Sequence, residues 1–303
     1  MRAALVRVRR HRRVAEAVDI GRQLAREWRD DRLSGLAAEV AFFGVLSVFP
    51  ALLATAALLG SLESIAGQAV SDRVEQGVLD VLDRFLTPEA AGVTEAVRGL
   101  FAESRTGVLT AGVVLAVMAT SRGFAAVIRA LDVAYDLPPR PPWLRTRLKA
   151  IVLSIGSVVV AVVMLAMLVL GPLLGRGRGV AEAIGLGDAF ATFWEVFRAP
   201  VAVAVLVGWA ATVFHVAPNH RTPWRWDLPG AVVTGLLWLS ASLGFRLYLV
   251  VAGEANQVFG LFGGALIVLF WLYLLGVGLL VGGELNAVLA KRRDQADRSG
   301  RAD

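Results

Sequence analysis

Apolar residues along this chain gather in six long runs, near 36–61, 107–128, 150–173, 199–217, 228–252 and 258–286, and the segments between them hold nearly all of the charge. A helix rises 1.5 Å per residue, so roughly 20 apolar residues cross a hydrocarbon layer about 30 Å thick. Helices of soluble proteins are usually shorter and carry a polar face every turn. The pattern predicts an all-α, polytopic membrane protein with six transmembrane helices and a small extracytoplasmic helical cap. It divides the chain into an Arg-rich N-terminal segment (1–33), a six-helix membrane domain (34–290) and a charged tail (291–303).

The connections differ in kind. Within 62–106, Val70, Val74, Val78, Val81 and Phe85 recur every three or four residues with Asp72, Glu75, Asp80 and Asp83 between them, and a weaker repeat follows Thr87-Pro88. Two amphipathic helices capping the outer mouth of the bundle are expected there. The connection 174–198 begins with Gly175-Arg-Gly-Arg-Gly179 and continues with Phe190, Phe193, Trp194 and Phe197 at helical spacing. Aromatic rings at a span edge mark the headgroup level, so an interfacial belt helix is expected, with a ligand groove as the alternative. The prolines between Leu137 and Trp143 remove donors and fix φ, which predicts a stiff elbow between the second and third spans.

Charge sets the orientation. The segments 1–33, 121–149, 218–227 and 291–303 hold 23 Lys and Arg, whereas the alternate connections 62–106, 174–198 and 252–258 hold seven. Basic residues favour the cytoplasmic side, so both termini are predicted to be cytoplasmic. The net charge of +6 is then explained by arginines facing anionic headgroups, and nucleic acid is not an expected partner. With no cysteine there is no disulfide framework and no thiolate chemistry.

Three ionisable side chains stand within the runs, Glu39, Arg246 and Glu284, with Arg122 at the inner edge of the second. Such residues are functional candidates because a charge at mid-bilayer costs about 2.5–3.5 kcal/mol even on permissive scales. By position, Glu39 and Glu284 fall near the inner face and Arg246 near the outer one, too far apart to pair. Two readings stay open: boundary residues stabilised by headgroups and water, or residues lining an inner and an outer vestibule that contact a solute or headgroup. Pro50 is expected to kink the first span, with Ser47 beside it to satisfy the freed carbonyl, as a candidate gate. Gly278 and Gly282 form a GxxxG spacing that permits close helix packing.

Catalytic signatures are scarce. The three histidines form no zinc motif, and there is no nucleophile elbow, Walker loop or dinucleotide fingerprint. No enzyme activity, cofactor or metal is expected.

Several stretches together resemble the YihY / virulence factor BrkB family of bacterial inner-membrane proteins. They are Leu36-Ala-Ala-Glu-Val-Ala-Phe-Phe-Gly-Val-Leu-Ser-Val-Phe-Pro50; Ala130-Leu-Asp-Val-Ala-Tyr135 with Trp143-Leu-Arg-Thr-Arg147; Leu228-Pro-Gly-Ala231 with Gly244-Phe245 and Tyr248; and Phe259-Gly-Leu-Phe-Gly-Gly264, Trp271-Leu-Tyr273 and Gly283-Glu-Leu-Asn286. Phe259 and Asp132 depart from the tyrosine and asparagine common in the family. The resemblance implies a six-helix inner-membrane protein with both ends inside. It brings two functional labels, a tRNA-processing ribonuclease and an envelope or lipid transport protein, and the first sits badly with a chain that lacks metal-ligand motifs. The expected function is transport or export of an amphipathic or anionic envelope component such as a lipid, with a non-transporting membrane scaffold as the alternative. Expected partners are membrane lipids, with a homo-oligomer or envelope proteins also permitted.

Overall fold

Backbone amides in apolar surroundings find no water to bond, so each run must close its hydrogen bonds within itself. The computed structural model describes residues 15, 18–47, 106–137, 143–165, 167, 187–219, 223–252 and 260–299, and the regular structure among them is entirely helical. In chain order the helices are α1 (18–30), α2 (Leu33–Ser47), α3 (Thr106–Ala134), α4 (Trp143–Leu165), α5 (Gly187–Val216), α6 (Leu228–Ala252) and α7 (Gly260–Ser299). A short 3-10 turn, Trp224–Trp226, leads into α6. Pro50 and nearly all of the predicted 62–106 cap lie outside the described residues.

The fifth predicted run coincides with α6, while two others belong to longer helices. The aromatic stretch from Phe190 to Phe197 is continuous with the fourth run inside α5, and Pro200 stands within that helix. A proline costs the helix one hydrogen bond, but in apolar surroundings no other backbone conformation satisfies the rest. The last helix runs 40 residues, to Ser299. At 1.5 Å per residue that is about 60 Å, twice a hydrocarbon thickness.

Three of the described helical stretches, Val196–Val216, Leu228–Tyr248 and Leu266–Ser299, are long and apolar enough to cross a membrane, with mean hydropathies of 1.9, 1.5 and 2.4. The placement of side chains agrees with a lipid surround. Leu148, Val152, Ile155, Val159 and Val163 form an exposed stripe along α4, and Val232, Leu236, Leu239, Leu243 and Leu247 form one along α6. Polar side chains are buried instead: Ser121, Ser154, Asp227, Thr234, Glu284 and Asn286. Apolar surface outward and polar groups inward is the arrangement a bilayer requires. The chain is an integral membrane protein.

Helix contacts close a ring in which α3 packs on α4, α4 on α5, α5 on α6, α6 on α7, and α7 on α3. The core joins Ile128 and Leu131 late in α3, Leu153 early in α4, Phe214 late in α5, Ala231 early in α6 and Leu280 in the second half of α7. Helices that follow one another in the chain are therefore antiparallel, whereas α7 and α3, which close the ring, run parallel, and the densest packing lies at one end, called here the core end. Helix α2 joins this end through Leu33 and Ala37, and the Ala37 carbonyl approaches Gly276 of α7.

Two left-handed residues shape the core end. Arg32 (φ 52°) separates α1 from α2, and Asp136 (φ 49°) terminates α3. At the second of these the Leu137 N–H donates to the Asp132 carbonyl at 3.0 Å and the Asp136 N–H to Val133 at 2.9 Å, the paired bonds of a Schellman cap.

Candidate functional site at the core end

The crossing of α6 over α7 is built from missing side chains. A Cβ on Gly230 would overlap the Gly282 carbonyl oxygen, and one on Gly282 would overlap Thr234 Oγ1, so only glycine lets the backbones approach this closely. Polar bonds then fix the register. The Gly230 N–H donates to Asn286 Oδ1 (2.8 Å) and Asn286 Nδ2 donates to the Asp227 carbonyl (3.0 Å). Further along, Thr234 donates to the Gly278 carbonyl (3.1 Å) and the Trp238 indole to the Leu275 carbonyl (2.8 Å). Gly278 is less crowded than Gly282, since its Cβ position lies 3.1 Å from the Trp238 ring.

Around Asn286 the start of α6 is tied to its neighbours. Asp227 Oδ2 lies 3.1 Å from His215 Nδ1 at the end of α5. Burial together with the Asp227 carboxylate pushes the ionisation of the Tyr135 hydroxyl upward, with nearby Asn286 opposing the shift. Lys149, at the foot of α4, donates to the carbonyls of Ala217 (3.3 Å) and Pro218 (3.1 Å) and to Asn219 Oδ1 (2.9 Å). The ammonium thus caps the chain leaving α5, where the helix dipole is negative. Burial lowers the Lys149 pKa from its ordinary value, against the opposing influence of Asp132.

Next to this node is a cluster of acids. Carboxylate oxygens of Glu27 (α1), Asp31 (the α1–α2 turn) and Glu284 (α7) all lie within 4.8 Å of one another. Glu284 is 0 % exposed, and neither of its oxygens has a hydrogen-bond partner among the described residues. Asp31 Oδ2 is likewise buried without a partner. Burial raises the Asp31 pKa, with the carboxylates of Asp136 and Glu27 adding to the effect and Lys291 opposing it. Lys291 pairs with Asp136 and stands 3.4 Å from Glu27. One turn of contacts further, Arg292 donates to Asp19 (2.6 Å) and Gln23 (3.2 Å), so the polar extension of α7 is fastened along α1.

The residues singled out from sequence have separate surroundings. Glu39 pairs with Arg129 of α3, both side chains partly exposed, while Glu284 faces α1. Arg246 is exposed on α6. Ser47 is buried and donates to the Phe43 carbonyl at 2.7 Å, and not to the carbonyl four residues before Pro50 as expected from the sequence. Gly278 and Gly282 both face α6. Glu27, Asp31, Asp227 and Lys149 escape a search confined to the apolar runs. A signal existed at Glu27 and Asp31, because like charges four apart on a helix repel and require a compensating partner.

Beyond the crossing, α6 and α7 diverge into an apolar groove of about 550 Å³, lined by Ser240, Gly244, Phe245 and Tyr248 on one side and Leu266 and Phe270 on the other. Arg246 belongs to the same turn of α6 as Phe245 and Tyr248.

Residues 24–303 match the family described as Virulence factor BrkB. A ribonuclease-like protein of Bacillus subtilis (strain 168), YfkH, is 29 % identical over 265 residues, covering 86 % of this chain and 92 % of the relative. A UPF0761 membrane protein of Stenotrophomonas maltophilia (strain K279a) is 26 % identical over 286 residues, 93 % of this chain, and this chain spans 63 % of its length. A UPF0761 membrane protein of Tolumonas auensis is 25 % identical over 266 residues, covering 88 % of this chain and 83 % of the relative. No solved structure matches the chain.

Proposed function

The chain belongs to the virulence factor BrkB family, and from that premise we propose that it is a non-enzymatic transporter or exporter of an amphipathic, anionic envelope component such as a lipid. The observation that carries this reading is the groove between α6 and α7. Its volume of about 550 Å³ lies in the range of small-molecule sites, its walls are mainly apolar, and Arg246 is exposed on the same turn of α6, on another face from the lining residues. An acyl chain fits such walls, and a guanidinium is the side chain best suited to a phosphate headgroup.

The same reading places six spans in the inner membrane, with the core end and both termini in the cytoplasm and a helical cap over 62–106 outside. The basic segments 121–149, 218–227 and 291–303 supply the support, since the first spans the end of α3 and the start of α4, the second joins α5 to α6 and the third includes the end of α7. The absence of cysteine makes the topology directly testable by single introduced thiols and a membrane-impermeant reagent.

A ribonuclease-like name is carried by the Bacillus relative. For this chain a nuclease reading is disfavoured because Glu284, at the centre of the acidic cluster, is 0 % exposed and out of reach of a phosphodiester.

The test is a translocation assay on purified protein in liposomes, following access of a membrane-impermeant quencher to labelled lipid. Movement above empty liposomes that is lost in Arg246→Ala is expected. Equal rates in both would remove Arg246 from the mechanism, and no movement at all would favour a membrane scaffold.

A further inference from the structure

We propose that Glu27, Asp31 and Glu284 bind a hard divalent cation that clamps the N-terminal helix α1 to α7. The inference is independent of the transport reading. It stands on two observations: carboxylate oxygens from two separate stretches of chain, Glu27 and Asp31 on one and Glu284 on the other, converge within 4.8 Å, and Glu284 is fully buried with both oxygens unpartnered.

An isolated buried carboxylate is among the most expensive groups a protein can hold, and it is normally paired, protonated or bound to metal. Pairing is only partly available here. Four carboxylates, Glu27, Asp31, Asp136 and Glu284, share one ammonium, Lys291, whose described contacts go to Asp136 and Glu27. A divalent cation would cut the uncompensated negative charge of this region from three to one, and no other basic side chain is described in contact with the three acids.

Chemistry and distance narrow the class of ion. An all-carboxylate ligand set selects hard cations over zinc or copper. Two oxygens on one ion are separated by at most twice the metal–oxygen distance, about 4.6–5.2 Å for Ca²⁺ and about 4.0–4.2 Å for Mg²⁺. The observed spacing, at most 4.8 Å between any two oxygens, is of the size that Ca²⁺ spans, and Mg²⁺ requires the carboxylates to draw together further. Asp31 sits in the turn before the left-handed Arg32, so binding would also fix the angle between α1 and α2.

The experiment is titration of the purified full-length protein in detergent with Mn²⁺, read by loss of the free-ion electron paramagnetic resonance signal, with Ca²⁺ and Mg²⁺ as competitors. One saturable Mn²⁺ per chain, displaced by Ca²⁺ or Mg²⁺ and weakened at least about tenfold in Glu284→Gln, is expected. Asp31→Asn, at a turn rather than inside the bundle, gives the same reading should Glu284→Gln fail to fold. The absence of saturable binding to the wild type, or affinity unchanged in a folded variant, would overturn the proposal and assign the cluster to protons and Lys291 alone.

Discussion

Asn286 of α7 accepts the backbone N–H of Gly230 at 2.8 Å where α6 and α7 come closest. The bond answers a geometric problem. Gly230 lies in the first turn of α6, where the helix offers its N–H no carbonyl partner, and the site is buried from water. Asn286 supplies that acceptor and turns its amide to the Asp227 carbonyl, so both ends of the side chain are used.

Glycine substitutions along this crossing should rank by crowding. Gly230→Ala and Gly282→Ala must displace backbone and are expected to cost about 3 kcal/mol or more, while Gly278→Ala meets only a side chain at 3.1 Å and should cost much less. Thermal unfolding in detergent gives the order. Equal losses at all three positions would mean the close approach is not maintained in solution.

Lys149→Met removes a charged cap of three acceptors and should destabilise the protein by about 1–2 kcal/mol near neutral pH. The pH dependence has a definite sign. Burial lowers the folded-state pKa of Lys149 below 10.5, so the unfolded chain holds the proton more tightly. That contribution is fully present above 10.5 and is lost as pH falls through the lowered folded value. Between those limits the wild type should therefore gain stability relative to Lys149→Met as pH rises, and a difference that shrinks would contradict the assignment.

The Glu39–Arg129 pair is partly exposed, with side-chain exposures of 37 % and 30 %, and its coupling should be small, at most about 1 kcal/mol. We expect the double substitution Glu39→Gln, Arg129→Gln to retain lipid movement. A double-mutant cycle on stability, run beside the translocation assay, separates anchoring from transport. Abolished movement in a stable double variant would return Glu39 to the transport path.

Gly244 lines the groove, and a Cβ placed on it meets nothing within 4 Å. Gly244→Phe should therefore fill the groove with little change in melting temperature while reducing translocation severalfold. Unimpaired movement in this variant would mean the substrate travels elsewhere.

The spans Val196–Val216 and Leu228–Tyr248 were readable in advance because a bilayer demands long apolar runs. Pairings were not readable. Glu39 and Glu284 fall at similar depth, yet 90 residues separate Glu39 from Arg129, and no local pattern specifies that bond. The length of α7 was hidden for another reason. Hydropathy falls after Leu289, while Lys291, Arg292, Arg293 and Gln295 are good helix formers, so the helix outlasts the apolar signal. Glu27 and Asp31 lay in a segment whose arginines drew attention to its charge balance instead of to its spacing.

Helix α7 presents its contacts at successive angles, about 100° per residue. Glu284 meets α1, Asn286 meets α6, Lys291 meets Asp136 beyond α3, and Arg293 lies 4.8 Å over the Trp226 ring. Turned by a single residue, this shaft would disengage all four at once. Its 40 residues therefore have a single rotational setting in which all four partners are met, like a key cut for one lock.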